Sequence, residues 1–181
     1  SRHLDGPPYP HIDPEPMVAL CRTALPDLDR ILPVDAIVPC AHGAAMACLD
    51  AEGGLALPIM DYISQPPSEI IADYRKIAPK FDETYCTLLP MALTHGLQLY
   101  WQQRAFPGSF ARVKTLVPWI QYVGFRLSGE AVTEISSMSC QTHLMNTRTQ
   151  ELSSLVMRQG WTQLFPRIAN AWETIGYLTS E

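Results

Sequence analysis

Between Leu127 and Leu144 the chain crowds carboxylate, hydroxyl, amide and imidazole side chains into one short span that an ordinary apolar core would not use. Side chains of these types, held close together, can make a nucleophile with its base or line a polar ligand site. A hydrolase triad of Ser136, His143 and Glu134 is one arrangement, but no Gly-x-Ser-x-Gly elbow surrounds the serine. His42, His95 and His143 offer imidazoles to a metal, yet their spacing fits no ligand pattern, and no metal site is expected. Glu134 has a second use beside Thr133, as a charge at a helix start that favours the helix dipole. Both uses of Glu134 stay open at this point.

The elements that must position these groups follow from periodicity. Pro118 opens a helix with Trp119, Val123 and Leu127 on one face, and Gly129 ends it as the residue past its C-terminus. Earlier in the chain, Ser1 to Pro16 reads as an extended loop, because Pro7, Pro8, Pro10, Pro14 and Pro16 forbid regular helix. Met17, Val18, Leu20, Cys21 and Ala24 form a short helix that Pro26 ends. Asp35–Cys40 and Ala44–Leu49 are apolar runs of strand length, separated by Ala41-His42-Gly43, and are expected as central strands. A turn at Asp50–Gly54 returns the chain as Leu55–Met60, a hairpin partner whose Pro58 marks an edge or a bulge.

Ser68 is expected to cap a helix carrying Glu69, Ile70, Ile71 and Tyr74 that Pro79 stops. Pro90 opens the next, with Leu93, Leu97, Tyr100 and Trp101 at helical spacing up to Pro107-Gly108. A short strand at Val113–Val117 and two further helices, at Gln150–Gln159 and Pro166–Ile175, complete a mixed α/β pattern without repeats.

Composition bounds what this scaffold serves. A chain of 181 residues is one domain's worth, and such a domain buries roughly 70% of its unfolded surface. Apolar residues at 47% against 17% charged fit a packed chain rather than a disordered one. The formal charge of -5, with no basic run, argues against a nucleic-acid partner. Five cysteines without CxxC spacing point to a reduced, cytoplasmic compartment. No apolar run is long enough for a membrane helix, so no membrane partner is expected. The first residue is Ser1 and not Met, so the natural start is expected upstream.

Three blocks in order carry a resemblance. They are Ala41-His42-Gly43-Ala44-Ala45-Met46-Ala47-Cys48-Leu49-Asp50 with its Gly-Gly turn and Leu57-Pro58, then Leu97-Gln98-Leu99-Tyr100-Trp101, then Tyr122 through Leu127-Ser128-Gly129-Glu130 into Thr133–Ser139. The last block looks like a Leu-Thr-Gly-Glu and Thr-Asp-Tyr-Thr-Asn-Ala-Ser segment, echoed by Leu144-Met145-Asn146-Thr147-Arg148-Thr149. Together they resemble the FGGY carbohydrate kinases, and the Ala-rich strand block looks nearer the rhamnulokinase and fuculokinase side.

The resemblance implies an α/β, ribonuclease H-like (actin-like ATPase) domain, a mixed sheet flanked by helices. It makes residues 1–181 a partial N-terminal sugar-binding domain, without its first strands and without the C-terminal ATP domain. The whole protein would phosphorylate a hydroxyl of a ketose or related polyol with ATP and Mg²⁺. The aspartate base would follow Glu181, which leaves no catalytic residue in this chain and the fragment alone inactive. Implied partners are the small-molecule sugar or polyol and the ATP domain, with room for a homodimer.

By register from Asp50, His42 and Gly43 match sugar-contacting positions, where a plainer role for His42 is a turn residue donating to a carbonyl. Asp61 and Tyr62 close the third strand and could hydrogen-bond hydroxyls or form a solvated turn. Thr94 and His95 fall near a sugar-facing helix start, with Gln98 in place of the family's Lys; the plainer role for His95 is a surface histidine. Glu134 takes the place of an aspartate, and Gln141 and His143 complete the candidate set. A different class of function also fits: a non-catalytic sugar-binding or interaction module that keeps the kinase fold.

Overall fold

The computed structural model describes residues 2–179. The chain begins with β1 (Arg2–Leu4) and β2 (His11–Asp13), antiparallel, with His3 opposite Ile12. The lead expected as a loop is therefore largely a hairpin, and Pro7, Pro8 and Pro10 are confined to its connection, where no ladder needs their missing N–H.

Helix α1 (Glu15–Ile31) follows, with Pro16 in its first turn, where an N–H has no intrahelical acceptor. Pro26 lies inside α1 and does not end it, contrary to expectation. The turns on either side keep their bonds: the Thr23 hydroxyl donates to the Ala19 and Leu20 carbonyls, and the Leu32 N–H closes on Leu28 O at 2.9 Å. At the other end of α1, Glu15 and Arg126 form an ion pair that ties the helix to a later one.

The central strand is β3 (Met46–Leu49), buried along its length. Alternation explains how both faces are covered: Met46 and Cys48 enter one core while Ala45, Ala47 and Leu49 enter another. Next come β4 (Leu55–Leu57) and β5 (Ile59–Met60), so the single strand expected at Leu55–Met60 is broken at Pro58. β4 pairs with β3 through a bulge, and β5 crosses to pair with β2. A residue without an N–H is suited to this change of partner. Asp35–Cys40, expected as a second central strand, joins no ladder among the described residues.

Helices α2 (Ser68–Ile77), α4 (His95–Ala105) and α5 (Pro107–Phe110) contribute to the core on one face of β3, and the short α3 (Phe81–Thr84) lies between α2 and α4 in sequence. Ser68 is the first helical residue rather than the cap; that place falls to Pro67, and the serine hydroxyl reaches Glu69. Helix α4 starts at His95, because Pro90 to Thr94 are used in a turn that the Thr94 hydroxyl fastens to Leu89 N–H. Strand β6 (Thr115–Pro118) takes the remaining edge of β3, antiparallel, giving the order β4-β3-β6.

Helix α6 (Trp119–Ser128) covers the other face and packs on α1. Gly129 stops it as expected: it stands at φ 78°, a left-handed conformation glycine adopts without penalty, with its N–H on Phe125 O at 2.7 Å. The remainder is β7 (Thr133–Glu134), α7 (Ile135–Ser139), the hairpin β8 (Met145–Asn146) and β9 (Glu151–Leu152), α8 (Ser154–Arg158) and β10 (Ile168–Ala169).

The helix expected over Gln150–Gln159 is shortened to α8, since Gln150 takes a positive φ at the hairpin. No helix forms over Pro166–Ile175. Instead β10 pairs in parallel with β7, anchored by Thr133 N–H on Arg167 O. The fold is mixed α/β, with small sheets flanked by helices.

Candidate functional site

The loop entering β3 is held from below by α4. Gln98, fully buried, donates its amide to the carbonyls of Ala44 and Ala92, which joins the loop to the turn before the helix. Above this anchor His42 and Gly43 are exposed. The His42 ring meets Tyr62 edge to face, with centroids 5.5 Å apart, and lies over Trp119 at 6.3 Å and 29°. Trp119 in turn stacks on Tyr122 at 5.9 Å, so the imidazole caps an aromatic row.

Partial burial lowers the His42 pKa from its ordinary value; Asp61 opposes the shift and His3 adds to it. A neutral imidazole at pH 7 presents one donor and one acceptor, and an aromatic wall suits the apolar face of a small polar ligand.

Asp61 lies beneath, fully buried. Its carboxylate pairs with Nδ1 of His3 and accepts the Ile63 N–H at 3.1 Å, while its own N–H donates to Pro10 O at 2.9 Å. Tyr62 is half-buried and its carbonyl accepts from Ala92 N–H. Thr94 is buried, its hydroxyl occupied by Leu89 N–H at 3.1 Å.

His95 is buried, and neither ring nitrogen makes a hydrogen bond among the described residues. Burial pushes its pKa down to about 4; the nearby carbonyls of Gln141 and Gly43 work against that shift without reaching hydrogen-bond geometry, and His42 adds to it. Gln141 itself is exposed, at a positive φ.

The two remaining candidates are engaged elsewhere. Glu134 is the N-cap of α7. Its carboxylate accepts from the N–H groups of Ser136 and Ser137 at 2.8 and 3.0 Å and from both hydroxyls. Desolvation raises its pKa, but these bonds outweigh it and the net shift is downward. His143 is turned into the core, between Tyr74 and the Cys86 carbonyl.

The structure thus gathers His42, Gly43, Asp61, Tyr62 and His95, with the Gln141 backbone at the border and Thr94 just below. It adds two residues that the sequence did not single out, His3 and Trp119. His3 sits in the proline-rich lead, and only the register that puts β1 beside β2 and β2 beside β5 brings it to Asp61. Among the described residues no cluster of His, Cys, Asp or Glu is arranged to hold a metal ion.

No protein-family model matches the chain, and no curated protein matches it. Solved structures do. A carbohydrate kinase from Novosphingobium aromaticivorans superposes with a TM-score of 0.92 at 33% identity, over 99% of this chain and 38% of that one. A xylulose kinase from Rhodospirillum rubrum gives 0.81 at 16%, over 99% and 39%. A gluconate kinase from Lactobacillus acidophilus gives 0.77 at 16%, over 98% and 37%. The last two show a shared fold, and the chain spans well under half the length of each protein it matches. In fold and over these ordered blocks the chain is similar to one part of the carbohydrate kinases, in line with the FGGY-type sequence it resembles.

Proposed function

We propose that this chain is the sugar-binding part of an ATP-dependent FGGY kinase that phosphorylates a hydroxyl of a ketose or related polyol. The observation that carries the reading is the His42-Gly43 loop. It is exposed, backed by Tyr62 and Trp119, and clamped to α4 through Gln98.

His42 and Tyr62 are the side chains open to a ligand. A neutral His42 can donate to one hydroxyl and accept from its neighbour, while the aromatic edge contacts C–H groups. Gly43 leaves the loop backbone open, since a Cβ there would meet nothing within 4 Å. Gln141 borders the loop from the other side. Asp61, Thr94 and His95, being buried, act from beneath by holding the loop and setting the charge around His42. Glu134 and His143 support the surrounding fold.

ATP and Mg²⁺ fall to the parts of the kinase that this chain does not match, and no residue described here is assigned to them. The base that takes the hydroxyl proton belongs there too, so this chain alone is expected to bind without turnover. A cytoplasmic setting agrees with five free cysteines, and among the described residues no helix is long and apolar enough to cross a membrane. Ala44 and Ala45 support the placing near the rhamnulokinases and fuculokinases.

The test is a thermal-shift screen of the full-length kinase against ketoses and polyols, with and without Mg-ATP, followed by ADP release for each hit. Sugar-dependent ADP release supports the reading. Sugar binding without ATP turnover in the full-length protein would favour the non-catalytic module, and no stabilisation by any sugar or polyol would remove both.

A further inference from the structure

Asp61 is 0% exposed, and a carboxylate taken that far from water needs partners. Its Oδ1 accepts the Ile63 N–H at 3.1 Å, and its Oδ2 is held by Nδ1 of His3. His3 belongs to β1, which reaches this point because β2 stands between it and β5, and β5 ends one residue before Asp61.

The pairing fixes more than the hairpin. A carboxylate only accepts, so Nδ1 carries the proton, and the neutral ring keeps its lone pair on Nε2. The Nδ1 edge of the ring faces a buried group, yet the His3 side chain is 55% exposed. That exposure therefore falls on the opposite edge, where Nε2 lies. Fastening β1 uses Nδ1 alone and leaves an oriented acceptor at the surface.

The neighbours of His3 decide what that acceptor serves. Asp61 and His3 both bear on the charge of His42, Asp61 raising its pKa and His3 lowering it, so the three groups share one electrostatic neighbourhood. His42 meets the ring of Tyr62, the residue after Asp61, at 5.5 Å. Two imidazoles thus stand over one buried carboxylate, with an aromatic ring beside them.

We propose that His3 is a further specificity-determining residue of the sugar site: with Nδ1 locked on Asp61, its Nε2 accepts from one sugar hydroxyl while His42 engages another. This rests on the sugar-site reading above and adds to it a contact from β1 and the proton polarity of that contact. A site built to bond a hydroxyl discriminates strongly against a ligand that lacks it.

The experiment titrates the full-length kinase calorimetrically with xylulose, ribulose, rhamnulose, fuculose and fructose and with the corresponding polyols. His3→Asn places an amide N–H where Nδ1–H stands, so Asp61 keeps a donor while Nε2 is gone. It should melt close to the parent and bind the sugar about tenfold more weakly. Asp61→Asn keeps Oδ1 for Ile63 and turns its amide N–H towards His3, which forces the ring proton to Nε2 and makes the acceptor a donor. Affinity should again fall by about tenfold, although no atom facing the sugar has been removed. The double variant should bind no more weakly than His3→Asn alone, because Asp61 acts through the ring.

Parent-like affinity in either single variant overturns the inference and leaves the sugar site standing. A double variant that loses the product of the two single effects also overturns it, since Asp61 would then act independently of His3. If none of these ligands binds the parent, the sugar-site reading falls, and this inference with it.

Discussion

The Tyr74 hydroxyl donates to Nδ1 of His143 across 2.9 Å, and the rings lie nearly parallel at 11°. The direction follows from the other side of the imidazole, where Nε2 meets the Cys86 carbonyl at 3.1 Å. A carbonyl can only accept, so Nε2 holds the proton and Nδ1 is the acceptor. Desolvation lowers the His143 pKa, with the Cys86 carbonyl opposing it. His143 is thereby a neutral bolt between α2 and the loop after α7.

The first prediction tests that bolt together with Gly96. A Cβ on Gly96 would lie 2.5 Å from the Tyr74 hydroxyl, 2.9 Å from Leu155 Cδ2 and 3.1 Å from Thr142 O. Tyr74→Phe strands Nδ1 and should cost about 1–3 kcal/mol in urea unfolding. Gly96→Ala overpacks the same point and should cost about 1–3 kcal/mol. Removing the hydroxyl relieves one of the three clashes, so the double variant should lose less than the sum of the two. Strict additivity would show that Tyr74 and Gly96 do not share this space.

A second prediction concerns pH. With its folded pKa at about 4 against an ordinary 6.5, His95 stays neutral in the folded chain while the unfolded chain takes up a proton. Its contribution is complete above about pH 6.5 and is lost as pH falls towards 4, to a limit of roughly 3 kcal/mol. His42 and His143 shift in the same direction and steepen the slope. His95→Leu removes two bare nitrogens and their titration. Unfolding free energies measured at about pH 7 and about pH 5 should differ less for the variant than for the parent chain. An unchanged difference would show that His95 is hydrated and titrates normally.

How far this could be read from residues alone depends on the range of the interaction. Gly129 and the two-faced strand Met46–Leu49 are set by local conformation and period-two burial, and both were legible. Pro26 was misread: the helix runs through it to Ile31, and the Leu32 N–H still closes on Leu28 O. Asp35–Cys40 has the pattern of a central strand, but both sides of β3 are taken by β4 and β6 and the segment pairs with no strand among the described residues. In the candidate site, the loop Ala41-His42-Gly43 was placed between two apolar runs, and the structure puts His42 and Gly43, exposed, just before β3. The contact of His3 with Asp61 was not, because it depends on a register across three strands.

The third prediction separates the two uses of Glu134. As the N-cap of α7 it satisfies two N–H groups, and Glu134→Ala should cost about 0.5–2 kcal/mol. Its lowered pKa means that the stabilisation is present above the ordinary carboxylate range and lost as pH falls through the lowered value. Sugar affinity, read by calorimetry, should not move. A fall in affinity larger than the loss of stability explains would return Glu134 to the binding surface.

The last prediction falls on His42. Its side chain sits above the anchor that Gln98 makes with Ala44, so His42→Ala removes the imidazole without touching the β3 ladder. Thermal stability should stay close to that of the parent, as for exposed sites, within about 0.5 kcal/mol. Losing one hydrogen-bonding ring in the loop should weaken sugar binding by about tenfold. The same ring gives a pH signature: protonation turns its acceptor nitrogen into a second donor, so affinity should fall as pH drops through its lowered pKa. Calorimetric titrations of parent and variant across that range decide the matter. The parent should show the fall and the variant should not. Equal affinities at neutral pH would leave His42 as a turn residue resting on Tyr62 and Trp119.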